Sequence, residues 1–190
     1  MTRSQLFTKI FLILLFLLTT IHSQIIHADN SIWIDIDTLH SAAKVIRGEN
    51  TVIARYDNIS LGRRGAATLH FHNDDTTPLG SYRIVSIDRK SAFSVFFGLN
   101  YPTIEHAQRA IEQHKITKGQ YLEILNAHFH DKIPPSTTPL GGAIGIHGVG
   151  SGSLAIHHQF NWTRGCVALD NNQIADLSKW AKIGTRVVIH

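Results

Sequence analysis

The sequence predicts a mainly β domain with helices, an α+β fold. Its strands form a curved sandwich or barrel-like structure with helices packed at the edge. Three observations carry this. Short segments with period-two alternation recur from 31 to 99 and again near 145 and 187. The apolar period becomes helical between 103 and 129. A capped helix then precedes a short β-branched run at the end of the chain.

Ser31 to Asp37 alternates, with Ile32, Ile34 and Ile36 on one face and Trp33 and Asp35 on the other. Ala43 to Arg47, the loop Gly48-Glu49-Asn50, and Thr51 to Ile59 read as a hairpin. Leu61 to Gly65 is a loop, and Thr68 to His72 is predicted as a further short strand. Asp74 to Gly80 is turn chemistry throughout. Tyr82 to Ile87 and Phe93 to Leu99 are strands. Thr103 caps a helix whose apolar positions are Ile104, Ala107 and Ile111. Thr117 and Gln120 form a capping box ahead of the stripe Tyr121, Ile124 and Leu125. Pro134-Pro135 ends that helical stretch. Gly142 to His147 is a short apolar strand, followed by a glycine-rich loop. Asp170 and Gln173 form a second capping box, opening a helix with Ile174, Leu177 and Trp180 inward and Gly184 at its end. Thr185 to Ile189 is the last strand.

The chain has 190 residues, 43% of them apolar. That suits one domain and excludes wholesale disorder. No segment repeats at a fixed period, which excludes a solenoid. Met1 to Lys9 carries Arg3 and Lys9, and Ile10 to Leu18 is an unbroken apolar run. The run is shorter than the roughly 20 residues of a membrane-spanning helix. A basic start and a short apolar run form the layout of a secretory signal. Ser23 and Ala28 are the small residues at which cleavage is expected. Residues 1–28 are therefore read as a signal peptide and 29–190 as the exported domain, in the periplasm or cell envelope; an uncleaved anchor is the other reading. In the first reading the membrane is met only through the signal segment. The formal charge of +4 falls to +2 without Arg3 and Lys9, and no basic run tracks a phosphate backbone, so nucleic acid is not an expected partner.

Cys166 is the one cysteine, so the chain has no internal disulfide. A lone thiol outside the cytoplasm is either a small buried hydrophobe or a group kept for its reactivity. His147 stands 19 positions earlier, in Gly145-Ile146-His147-Gly148. A thiol becomes a strong nucleophile as the thiolate, and a neighbouring imidazole is a common way to lower its pKa. Gly165 allows close backbone approach to a substrate carbonyl. The amides of Gly165 and Cys166 are candidate donors to an oxyanion. The helix opening at Asp170 begins close to the thiol, with its positive dipole end.

The stretch from Ile146 to Leu169 resembles the catalytic motif of the L,D-transpeptidase (YkuD) family. That motif is a His-Gly on one strand, a spacer, then Ser/Thr-x-Gly-Cys and an apolar residue; here these are His147, Gly148, Thr163, Gly165, Cys166 and Val167. The block Asp75 to Tyr82 resembles a second family signature, with Thr77, Pro78, Gly80 and Tyr82 in place. Phe96 to Pro102 resembles the strand and loop beside the substrate groove. Two positions depart: Arg164 stands where many members have His, and Ala168 where many have Asn or Arg.

The resemblance implies that the Cys166 thiolate attacks the carbonyl of meso-diaminopimelate in a peptidoglycan stem tetrapeptide. His147 takes the thiol proton, and terminal D-Ala leaves. The thioester passes to an amine of a second stem, to an amine-bearing wall protein, or to water. Gly165, Thr163 and Gly148 support this motif, and no cofactor is required. Arg164, Tyr101, His158 and Trp162 are candidate substrate contacts; packing or solvation accounts for each equally well.

Thirteen histidines raise a metal reading, through His70 and His72 with Asp74 and Asp75, through His128 and His130, and through His157 and His158. None has the spacing of a known ligand set, so metal: none is the expectation. The alternatives to a transpeptidase are an L,D-carboxypeptidase or amidase using the same thiol, and a non-catalytic metal- or wall-binding module.

Overall fold

The computed structural model describes residues 30–190; the predicted signal and its cleavage positions lie outside the described residues. Alternation at the start produces β1 (Ile32–Asp37), with Ile34 and Ile36 fully buried. On its other face the Trp33 ring lies under the Arg186 guanidinium, 5.3 Å from centroid to Cζ. β1 pairs antiparallel with β2 (Ala42–Arg47), and β2 with β3 (Thr51–Asp57), as the hairpin pattern requires. Two short segments, β4 (Ala66–Ala67) and β5 (Thr77–Pro78), form a small parallel ladder of their own. β6 (Gly80–Ser91) and β7 (Ser94–Leu99) form a long antiparallel pair.

The Thr103 hydroxyl caps α1 (Ile104–Glu112), and the Thr117–Gln120 box caps α2 (Lys118–Phe129). The buried stripe of α2 is Ile124 and Ala127, with Tyr121 and Leu125 half-buried beside it. The chain continues through β8 (Gly145–His147), α3 (Leu154–Gln159), β9 (Val167–Ala168), α4 (Asn171–Leu177) and β10 (Arg186–Ile189).

The main sheet has eight strands in the order β3-β2-β1-β10-β6-β7-β8-β9. It is not closed as a barrel. It curls until the chain just past β3 reaches β9 through one bridge, Ser60 to Ala168. Apolar residues from the strands and from α1, α2 and α4 meet in one core cluster inside that curl. The α+β expectation holds in its sandwich-like form.

Three local expectations are corrected. Thr68 to His72 is not a strand: the Phe71 amide bonds the Asp74 carboxylate and the His72 amide bonds the Pro139 carbonyl, so side chain and loop replace a ladder. The glycine-rich loop after His147 contains the helix α3, capped by Ser153. The last helix stops at Leu177, so half-buried Trp180 lies in the turns beyond it and Gly184 sits in the turn before β10. Among the described residues no helix is long and apolar enough to cross a membrane.

One feature of this topology positions the site. β8 pairs antiparallel with β7 but parallel with β9. A parallel pair cannot be joined by a tight turn and needs a crossover of about a dozen residues or more. The stretch between β8 and β9, which carries α3, is that crossover. The long spacing between His147 and Cys166 is thus the length of a connection that returns the chain beside itself.

Candidate active site

In the β8–β9 register Ile146 faces Val167 and His147 faces Ala168. Side chains alternate along a strand, so Cys166, one step before Val167, falls on the same sheet face as His147. The two are diagonal neighbours on adjacent strands, and Cys166 lies level with Gly145, which has no side chain to fill that space.

His147 is 3% exposed. Its Nδ1 lies 2.7 Å from the Gly148 carbonyl oxygen. A carbonyl only accepts, so Nδ1 carries the proton and Nε2 is left with a lone pair. Three rings surround the imidazole: Phe93 at 4.5 Å between centroids, Trp162 edge-on at 5.6 Å, and Phe96 stacked at 6.1 Å. This burial pushes the His147 pKa below the ordinary imidazole value, against the smaller opposing pull of the Gly148 hydrogen bond. Gly148 is glycine for space: a Cβ there would lie 2.6 Å from the Phe93 carbonyl oxygen and 2.9 Å from Asn171 Oδ1.

The half-buried Cys166 thiol donates to the Ala143 carbonyl across 3.5 Å. Burial pushes its pKa up to about 11, with a backbone hydrogen bond from Gly145 opposing. The sequence leads one to expect a thiol lowered by a neighbouring imidazole, and burial works in the other direction. Both groups are desolvated, so each is driven to its neutral form.

Thr163 holds the turn that presents the thiol. Its hydroxyl donates to the Cys166 carbonyl (2.6 Å) and accepts from the Gly165 amide (3.1 Å). The Gly165 N–H is therefore already engaged, and of the two expected oxyanion donors the Cys166 N–H is the one not committed to Thr163. Gly165 has φ +129°, where a side chain is strained, and a Cβ would lie 2.8 Å from the Thr76 carbonyl oxygen. The helix dipole expected near the thiol is also spoken for: the Asp170 carboxylate accepts from the first amides of α4, at Asn172 and Gln173.

The second motif buttresses this turn from below. Thr163 exchanges backbone hydrogen bonds with Leu61 and Arg63. Gly62, between them, donates to the Thr77 hydroxyl across 2.8 Å. Tyr82 closes the block by donating to the Pro78 carbonyl at 2.9 Å.

The four candidate substrate contacts separate. Trp162 is at the site, packed on His147, with its Nε1 donating to His157 Nδ1 across 3.2 Å. Arg164 is exposed beside the thiol turn. His158 is exposed on α3, whereas its neighbour His157 is buried. Tyr101 is not on an open surface: it is 1% exposed, and its hydroxyl donates to the His70 carbonyl at 2.6 Å.

Sequence reading missed Phe93 and Phe96, whose strand pattern gave no sign that they box an imidazole. Of the adjacent pair His157 and His158, named in sequence only as a metal reading, the helix α3 buries the first and exposes the second. His128 and His130 are taken up by separate backbone carbonyls. His128 Nε2 bonds the Pro102 carbonyl, and His130 Nδ1 bonds the Asn126 carbonyl. Among the described residues no three His, Cys, Asp or Glu side chains gather as a metal site.

A mainly β sheet thus brings His147 and Cys166 to one face across the β8–β9 crossover. Residues 29–189 match the YkuD L,D-transpeptidase catalytic domain, and the chain belongs to that family. Two solved structures share its fold. One is the helical cell shape determining protein Pgp2 (K307A mutant) from Campylobacter jejuni, with TM-score 0.59 and 18% identity over 85% of this chain and 47% of that one. The other is Bd1075 from Bdellovibrio bacteriovorus, with TM-score 0.55 and 18% identity over 86% of this chain and 49% of that one. The chain spans about half the length of these structures, and at this identity the likeness is one of fold. Among curated proteins no relative matches the chain.

Proposed function

We propose that residues 29–190 form an exported cysteine L,D-transpeptidase domain acting on peptidoglycan stem peptides, with Cys166 as nucleophile and His147 as general base. The observation that carries this reading is the shared sheet face of the two residues, with His147 Nδ1 tied to Gly148 and its Nε2 lone pair free.

Cys166 Sγ attacks the meso-diaminopimelate carbonyl as its proton passes to His147 Nε2. The Cys166 amide steadies the oxyanion. His147 then gives the proton to the departing D-Ala amine, leaving a thioester. An amine of a second stem or of a wall protein resolves the thioester; water doing so would make the domain an L,D-carboxypeptidase. The apolar N-terminal segment directs export to the compartment where this substrate lies.

The test is intact-protein mass spectrometry of the mature chain with a stem tetrapeptide, beside Cys166→Ala. A tripeptide acyl adduct on the unaltered chain alone, with D-Ala released, is expected. Product masses then distinguish a crosslinked dimer from a trimmed tripeptide. A folded chain that forms no adduct and releases no D-Ala would sink the proposal in favour of a wall-binding module.

A further inference from the structure

We infer that His157 is a positioning residue for the base: it accepts from Trp162 Nε1 and so holds the indole edge-on against His147. The inference rests on the function proposed above and concerns a residue outside the family motif.

Trp162 forms one wall of the box around the base, 5.6 Å from the His147 ring and at 71° to it. Its backbone is fixed on both sides. The Asn161 side chain accepts from the Leu61 amide at 2.9 Å, and the Thr163 backbone pairs with Leu61 and Arg63. A fixed backbone still leaves an indole free to choose among staggered rotamers. Its one polar atom makes the choice, because an N–H withdrawn from water is costly unless it finds an acceptor. His157 Nδ1 supplies that acceptor at 3.2 Å.

His157 is held in turn. It is the buried residue of α3, 3% exposed. Ser60 Oγ lies 2.8 Å from the His157 carbonyl oxygen, 3.1 Å from that of Phe160 and 3.2 Å from His157 Nδ1. The Ser60 backbone exchanges two hydrogen bonds with Ala168, at 2.9 and 2.8 Å. Ala168 is the register partner of His147. Ser60, His157, Trp162 and His147 therefore close a ring of contacts through β9, and the indole and the base share one frame.

An indole N–H only donates, so His157 Nδ1 carries the lone pair and Nε2 the proton. Nε2 is buried and has no hydrogen-bond partner among the described residues. His106 is the contrast, with Nδ1 2.7 Å from the Thr103 hydroxyl and Nε2 3.0 Å from the Leu79 carbonyl oxygen. A ring kept for packing alone would be served better by an apolar side chain, which leaves no donor unmatched. What histidine adds at 157 is the acceptor for Trp162. Burial lowers the His157 pKa; His158 and His147 add to this and Asp170 opposes it, which favours the neutral ring that can accept.

The test is NMR titration of the His147 imidazole beside tetrapeptide kinetics, in the unaltered chain, His157→Phe, His157→Asn and Trp162→Phe. His157→Phe keeps a ring and removes the acceptor, whereas the amide oxygen of His157→Asn restores an acceptor near the place of Nδ1. Burial is what lowers the His147 pKa, so an indole that swings away raises the titration midpoint toward the ordinary value of 6.5. That rise is expected in His157→Phe, with a fall in kcat/KM of up to about 10²-fold. His157→Asn reverses both. Trp162→Phe, which lacks the N–H, gives the same rise, and adding His157→Phe to it changes nothing further. A histidine that only supports the fold would lower the urea midpoint and leave the His147 titration in place. An unmoved titration in His157→Phe or in Trp162→Phe, or additive effects in the double variant, overturns the inference. Should His157→Phe not fold, Trp162→Phe beside His157→Asn carries the test, with a rise expected in the first and none in the second. An unaltered chain that releases no D-Ala removes the proposed function and the inference together, whereas an active chain with an unmoved titration removes the inference alone.

Discussion

The Thr163 hydroxyl spans Cys166, donating to its carbonyl at 2.6 Å while accepting from the Gly165 amide at 3.1 Å. One buried hydroxyl therefore serves as donor and acceptor to the backbone on both sides of the thiol. Thr163→Val keeps the shape and removes both bonds, leaving two backbone groups unpaired at a cost of about 1–3 kcal/mol. The loosened turn lowers kcat/KM by about 10²-fold, since small misplacements of a reacting atom are costly. Thr163→Ser retains most of both. Urea denaturation beside tetrapeptide kinetics measures the pair, and a Val variant equal to the unaltered chain in both would refute the role.

Gly165→Ala tests the room beneath the turn. The new methyl meets the Thr76 carbonyl oxygen at 2.8 Å, Ile144 Cδ1 at 2.9 Å and His70 Cε1 at 3.1 Å, at φ +129°. We expect a stability loss of about 1–3 kcal/mol from backbone strain alone. We also expect loss of the acyl adduct on Cys166. A variant that denatures at the same urea concentration and still acylates would show that the turn relaxes freely.

Trp162→Ala opens the aromatic box around His147. Burial is what lowers the His147 pKa, so admitting water raises it toward the ordinary value of 6.5. The base must be neutral to act, so activity falls as pH drops through that pKa. The acid limb of kcat/KM therefore moves to higher pH in the variant. An acid limb that stays in place, or moves down, contradicts the assignment.

Four buried histidines, His70, His106, His147 and His157, share a pKa lowered chiefly by burial. Below the ordinary value of 6.5 the unfolded chain takes up protons that the folded chain refuses. Their contribution to stability is complete above that value and is lost as pH falls through the folded-state pKa values. Unfolding free energy from urea titrations should decline between about pH 7 and about pH 5. A flat profile across that range would mean that these rings are solvated.

Much of the fold was legible because local rules reach that far. Alternation located β1, and both capping boxes, Thr117–Gln120 and Asp170–Gln173, formed as spaced. The failures came where tertiary partners compete with local pattern. Thr68 to His72 has a strand-like sequence, but Asp74 and Pro139 take its amides. For Tyr101 the sequence left groove and core equally open, and its hydroxyl, donating to the buried His70 carbonyl, settles it inward.

The residues of the candidate site divide the same way. The chemistry of a lone thiol drew attention to Cys166, His147 and Gly165, and the resemblance to the family motif added Thr163. Only the tertiary structure decided their electrostatics and their company. Desolvation depends on what packs around a group, and Phe93, Phe96 and Trp162 reach His147 from three separate segments. His70 lies 95 positions before Gly165 in the chain and meets it across a missing Cβ. No periodicity encodes such a contact, because it exists only after the sheet has curled and brought the loop after β4 against the turn before β9.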